Sequence, residues 1–390
     1  MEDVAGPARD ALPLAPRPPD VSGWLHDVIE VDVTRTITTP RPRRRIAGLA
    51  AAVAVAGLLL SACSGSGDDA AAGSGDDAGD TSFDAVSVQL SWLKNQQFAG
   101  EYLAVEDGLY TDAGFPEVTL TAGGSSATSA EAAVATGQAF VGLSSPLITA
   151  PAIQGGAELK IVGATYQRNP FALVSGADTP IAGPDDLAGK TIAVSDSNTL
   201  VWNAFLAAND IDPADLTTVP LSDTSMLTTG QVDGFIGYTT TGAAALEKAG
   251  FPASEFLLAD EGLPMVGEVL VTSQQAIDEQ PEQVKAFLLA TAEGWRAALD
   301  DPARAVDLTV NTYGKDQQYD ADAITLSFER QATLIESDDT AANGLLTISD
   351  ELQEGTIASL AYAGIEIAAD DLFDLSLLDE VYAENPDLLS

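Results

Sequence analysis

Covalent chemistry has almost nothing to work with in this chain. Of its 390 residues one is histidine, His26, and one is cysteine, Cys63. From residue 64 onward no disulfide, no Cys/His metal site, no thiol or Ser–His nucleophile and no imidazole base can be built. Neither a metal nor a cofactor is expected. What remains is recognition: rings that stack, amides and hydroxyls that hydrogen-bond, carboxyls that accept. Such residues collect behind apolar runs. Trp92 and Asn95 stand three apart behind one run, with Gln97 just beyond. Ser144 and Ser145 follow a second run, Asp196 and Asn198 a third, and Tyr238 ends a fourth.

Charge narrows the partners. The formal net charge is -42, from 59 acidic and 17 basic residues. Seven of each precede Cys63, so from there on ten basic residues face 52 acidic ones. A surface of that sign repels a phosphate backbone, which excludes nucleic acid as a partner. The acidity itself reads first as solubility.

The first 62 residues read as an address. Arg41, Arg43, Arg44 and Arg45 precede the uncharged run Ile46 to Leu60, and small residues follow, the layout of a secretory signal peptide. The run is shorter than the roughly 20 apolar residues of a membrane span. Residues 1 to 35 are long and Pro-rich for such a prefix and read either as an N-terminal extension or as the product of a mis-assigned start codon. Leu60-Ser61-Ala62-Cys63 resembles a bacterial lipobox, which implies cleavage before Cys63 and lipid on its thiol; a plain secreted protein or a signal anchor is the alternative. Residues 63–83 form a tether of Gly, Ser, Ala and Asp that cannot make a core. The nineteen residues 64 to 82 reach roughly 25 Å as a random coil. The chain is expected on the extracytoplasmic face of the cell membrane, held by lipid.

Strand and helix patterns then alternate. Val86, Val88, Leu90 and Trp92 have the period of a strand, and FAGEYLAVEDG reads as a helix stopped at Gly108. Further strands are predicted at 118–122, AFVGL, LKIVGATY and FALVSG, with helices between, so the fold class is α/β with helix-covered, mostly parallel sheet. The pattern restarts at GKTIAVSD. Residues 179–264 are predicted as a second lobe, and 84–178 plus 265–390 as the first, with a helical C-terminal part covering it. Crossings are predicted near 175–180 and 264–272. Two lobes joined by two strands enclose a cleft.

These segments carry a resemblance. SVQLSWLKNQQFAGEYLAVEDGLYTDAGF resembles the opening of ABC-transporter solute-binding proteins in the branch that binds thiamine pyrimidine precursors, riboflavin, taurine, alkanesulfonates and nitrate. AAVATGQAFVGLSSP, LAGKTIAVSDSNT, LTTGQVDGFIGY and EQVKAFLLATAEGWRAALDDPARA follow in family order, over about residues 85 to 310. The resemblance implies a two-lobed periplasmic-binding-protein fold (type II-like). It also implies a small-molecule ligand, and an ABC permease with its ATPase as partners. A fungal thiamine pyrimidine synthase is similar in opening motif, but its reaction consumes a histidine and uses a cysteine-rich motif that this body lacks.

The residues then bear on the ligand. Trp92 and Asn95 fall on the family's W-x-x-N pattern; Trp92 either stacks on the ligand or closes the strand's core side, and Asn95 hydrogen-bonds a ring nitrogen or amino group. Ser144 and Ser145 either line the cleft rim or cap the helix starting at Pro146. Asp196 and Asn198 follow a second-lobe strand, where one of them serves as a cap. Tyr238 is either a second stacking ring or core, and Thr239-Thr240-Thr241 stand where the family often has Asn or an acid. Glu268, at the return crossing, is placed to pair with an aminopyrimidine. Ser125, in Gly124-Ser125-Ser126, is placed for an anion nest at a helix start. Only Lys94 and Arg168 are cations near predicted cleft loops, so an uncharged or weakly cationic heterocycle is favoured over taurine, alkanesulfonates or nitrate.

Overall fold

Ten short strands are spaced by helices along residues 82–389, which the computed structural model describes apart from Ser125. The expected leader, Cys63 and nearly all of the 63–83 tether lie outside the described residues. The strands are β1 (Val86–Gln89), β2 (Val118–Thr121), β3 (Val141–Ser144), β4 (Leu159–Tyr166), β5 (Phe171–Gly176), β6 (Thr191–Val194), β7 (Thr217–Pro220), β8 (Gly234–Tyr238), β9 (Ala253–Leu257) and β10 (Gly267–Ser273). They form two sheets of five, ordered β2-β1-β3-β10-β4 and β7-β6-β8-β5-β9.

Local chemistry sets the element ends. Gly108 takes φ 73°, left-handed backbone that ends the Ala99–Glu106 helix and starts the next turn. The Ser129 hydroxyl accepts from the Ala132 amide and caps Ala130–Ala135. Pro146 opens Pro146–Gln154, where its missing N–H costs nothing. Helical crossovers make β1 parallel to β2 and β3, and β6 parallel to β7 and β8.

Each sheet also holds a returning strand, so both are mixed. β10 runs antiparallel between β3 and β4. β5 runs antiparallel between β8 and β9, in the second sheet. The sequence reading placed Phe171–Gly176 in the first lobe; the chain instead crosses at residues 167–170. The physical reason is that β5 is buried on both faces, so it has no polar phase to show which sheet it joins.

Alternation along the strands covers both faces of both sheets. In β10, Leu270 joins the cluster containing Tyr102, Phe287 and Trp295, whereas Val269 and Val271 join the one containing Ala150 and Leu360. In the second sheet Ile192 and Ile236 pack with Trp202 and Phe205, and Ala193 and Phe235 with Leu246 on the other side.

The chain after β10 is helical and touches both lobes. Pro281–Asp300 lies on Ala99–Glu106, so closely that a Cβ on Gly100 would stand 2.3 Å from Trp295 Cγ. Ala321–Ile335 packs on β4 and on the Gln96–Phe98 turn, and also on the second-lobe helix Gly242–Lys248. Asp350–Tyr362 packs on Pro146–Gln154 and on the second-lobe helix Thr199–Ala208. The tail, expected as a cover for the first lobe, thus also reaches the second. Among the described residues no helix is long and apolar enough to cross a membrane.

Candidate ligand-binding site

The site grows from the end of β1. There the chain leaves the sheet at Ser91 and turns back through Asn95 into a short 3-10 turn, Gln96–Phe98. Asn95 holds that turn with both ends of its amide. Its Oδ1 accepts from the Gln97 amide at 2.9 Å, and its Nδ2 donates to Gln97 Oε1 at 2.8 Å. Fixed in this way, Gln97 donates through Nε2 to Glu268 Oε2 at 3.3 Å. Ser91 Oγ donates to the other carboxyl oxygen, Oε1, at 2.6 Å. Asn95, Gln97 and Glu268, singled out separately from the sequence, thus form one buried network, and Ser91 completes it.

Glu268 is unusual in backbone and in charge. It takes φ 41°, left-handed backbone that non-glycine residues rarely adopt and that concentrates at functional sites. It is 6% exposed. Burial pushes its carboxyl up to about 8; the Ser91 hydrogen bond opposes that, the nearby Glu101 carboxyl adds to it, and Gln97 opposes it again. Glu101, fully buried behind the turn, is itself pushed up to about 7 by burial, against its own backbone hydrogen bond and one from the Trp295 indole. Near neutrality Glu268 therefore offers both a proton and a lone pair.

The second lobe brings Tyr238 toward this group. Its ring, half-buried, stands edge-on to Phe171 with centroids 4.7 Å apart. Burial first and the Glu268 carboxyl second push its hydroxyl up. Asn198, half-buried in the turn after β6, donates to the Ile236 carbonyl at 3.4 Å and ties that turn to the strand carrying Tyr238. Asp196 is exposed at the start of the same turn.

The remaining expectations fall differently. Trp92 is 47% exposed at the strand end, so it does not close the core and its ring faces solvent. Ser144 is buried, and its hydroxyl donates to the Glu131 carboxylate, which Thr149 also reaches at 3.0 Å. Ser145 holds the N-cap position of Pro146–Gln154 without a capping bond from its side chain. Ser125 lies outside the described residues. Both cations expected near the cleft are engaged: the Lys94 ammonium sits 5.5 Å above the Tyr313 ring, which stacks on Tyr102, and Arg168 pairs with Asp260.

Two surface cavities lie away from these strand ends. One, of about 420 Å³, is lined by residues including Ile153, Lys160, Gln274 and Glu366. The other, of about 550 Å³, is bordered by Asp84, Ser87, Glu117 and Gln280. Both sit at the opening ends of β1 and β4, opposite the edge where ligands meet such sheets. Among the described residues no group of His, Cys, Asp and Glu is placed to hold a metal ion.

Two mixed α/β lobes, each a five-stranded sheet with one returning strand, and a helical tail have the architecture of a periplasmic-binding-protein fold. The chain belongs to the NMT1/THI5-like family, whose model matches residues 95–305, from the Asn95 turn to the Pro302–Asp307 helix. It is 28% identical over 253 residues to the riboflavin-binding protein RibY of Chloroflexus aurantiacus, covering 63% of this chain and 70% of that one. In solved structures it is similar to the zinc-bound ligand-binding component of an ABC-type import system from Staphylococcus aureus. There the TM-score is 0.56 at 14% identity, over 77% of this chain and 99% of that one. The alkanesulfonate-binding protein SsuA from Xanthomonas axonopodis pv. citri, bound to MOPS, gives 0.52 at 16%, over 73% and 95%. At these identities the structures speak for the fold.

Proposed function

We propose that this protein is the extracytoplasmic ligand-binding component of an ABC-type importer. Its ligand is a flat, uncharged or weakly cationic heterocycle of the flavin or aminopyrimidine kind, passed to a permease and its ATPase. The observation that carries the ligand class is the buried Glu268 carboxyl, fixed by Ser91 and Gln97, in a cleft whose nearby cations are already engaged. A carboxyl held near neutrality gives one donor and one acceptor, the complement of a ring nitrogen beside an amino or carbonyl group. An anion there meets a second acid and no free guanidinium. Trp92 from one side and Tyr238 from the other supply the stacking faces. The name of the 28% identical relative supports the flavin choice.

Ligand capture proceeds by closure of the lobes about the 167–170 and 258–266 crossings, because contacts on both sides favour the closed population. Lipid on Cys63 holds the protein at the membrane, and the tether lets it reach the permease.

The sulfonate reading has the MOPS-bound neighbour in its favour as a fold, but among the described residues the two cations expected near the cleft, Lys94 and Arg168, are already engaged. A synthase-like enzyme reading has no body histidine or cysteine to act with. Titration of the ligand-free body with riboflavin, an aminopyrimidine and taurine, followed by calorimetry, decides among them. Tight binding of taurine with none of either ring would sink the proposal.

A further inference from the structure

We propose that Arg330 and Gln331, adjacent on the Ala321–Ile335 helix, couple the two halves of the ligand site, with Arg330 as the positioning residue that sets how far the lobes stand open. This rests on the reading that ligand is captured by lobe closure.

Gln331 belongs to the first lobe's side. It is fully buried, accepts from the Tyr166 hydroxyl at 2.9 Å, and donates to the Gln96 carbonyl at 2.9 Å. Gln96 opens the turn that carries Gln97. The helix is thereby fixed to the segment that orients Glu268.

Arg330 turns to the other lobe. Its Nη1 donates to Thr239 Oγ1 at 3.0 Å and pairs with Glu255, and its Nη2 reaches Glu247 Oε1 at 2.7 Å. Thr239 follows Tyr238 directly, and its hydroxyl also donates to Glu255 at 2.8 Å. Its amide bonds the Pro170 carbonyl at 3.0 Å, in the crossing segment. One guanidinium therefore holds the end of the Tyr238 strand, the edge strand β9 and a second-lobe helix together. At the start of the same helix Asp320 pairs with Lys248, again from the second lobe.

Charge makes these contacts consequential. Ten cations serve 52 acids from Cys63 onward, and the acids of the two lobes repel each other. Two of the ten, Arg330 and Lys248, are spent between the tail helix and the second lobe. The Arg330 and Glu255 side chains are 20% and 22% exposed, so salt screens that pair only in part. The Lys248–Asp320 pair is 40% and 55% exposed and is the weaker hold.

The experiment uses unliganded protein, so it does not depend on which ligand is correct. With Cys63→Ala the body has no cysteine. Spin labels at Thr111→Cys in the first lobe and Ala188→Cys in the second then report the distance between lobes by electron–electron resonance. Arg330→Gln is expected to shift the distribution to longer distance and to speed amide exchange at Thr239 and Thr241 by about tenfold. Arg330→Lys should restore part of both. Arg304→Gln, whose pair with Asp107 lies within the first lobe, should change neither. If Arg330→Gln misfolds, Lys248→Gln carries the same expectation at smaller amplitude. Distances and exchange unchanged from wild type in folded variants would overturn the proposal. So would an equal response to Arg304→Gln. A variant that opens while riboflavin fails to bind wild type would leave the coupling standing and remove the ligand assignment instead.

Discussion

Ser91 donates to Glu268 at 2.6 Å across 177 residues of chain, joining the end of β1 to β10 with β3 lying between them in the sheet. The contact turns a strand-end hydroxyl into part of the candidate recognition group. It also means that the acid's orientation is set from two directions, by Ser91 and by the Asn95–Gln97 turn.

The raised carboxyls carry a pH signature. Glu268 at about 8 and Glu101 at about 7 both lie above the ordinary 4.5, so the folded protein binds more protons than the unfolded chain between those values. Their contribution is full below about pH 4.5 and is lost as pH rises toward 8, with a slope of up to about 1.4 kcal/mol per pH unit per proton. Denaturant titrations from pH 5 to 8.5 should show stability falling more steeply in wild type than in Glu268→Gln. Identical slopes in the two proteins would contradict the assignment.

Ring stacking should outweigh charge in binding. Trp92→Ala and Tyr238→Ala are expected to weaken riboflavin binding by about tenfold or more. Lys94→Ala and Arg168→Ala should stay within about threefold of wild type, because both cations are already engaged. Calorimetry on the four variants reads this directly, and a larger loss from either cation would reverse the ranking.

The helix contact behind the site leaves no room for a methyl group. A Cβ on Gly100 meets Trp295 Cγ at 2.3 Å, and one on Gly294 meets the Gly100 carbonyl at 2.3 Å. Gly100→Ala should cost about 1–3 kcal/mol by overpacking. Urea midpoints measure it; a stability equal to wild type would show that the crossing yields more easily than its geometry implies.

Anchoring is tested by fractionation. Cys63→Ala should move the protein from the membrane fraction to the medium, and the wild-type N-terminus should carry lipid by mass spectrometry. Wild-type protein found wholly in the medium would refute the anchor.

Legibility followed distance along the chain. Asn95 and Gln97 lie two residues apart and both stand out as polar groups behind a strand, but Asn95 reads as a ligand contact, whereas its amide is taken up with holding the turn. Glu268 stands out by its place at the return crossing, but its partner Ser91 sits between Leu90 and Trp92 in the alternating run and has no mark of its own. Tyr238 was visible as a ring ending an apolar run. Arg330 and Gln331 gave no signal, since a polar pair on an amphipathic helix looks like solvated surface until the helix is placed. Trp92 was read two ways because its position continues the β1 alternation. The crossing at 167–170 was missed because β5 has no exposed face, and Ser144 gave no hint of the buried Glu131 it serves.

The Ser91, Asn95, Gln97 and Glu268 network lies wholly within the first lobe and needs nothing from the second to hold its shape. On the proposed reading, recognition and enclosure therefore rest on different groups of residues. On that reading a ring would dock on a finished template before Tyr238 closes over it. Changes to the first-lobe network should act on which molecule is accepted and how fast it is taken. Changes around Tyr238 and Thr239 should act on how long it stays.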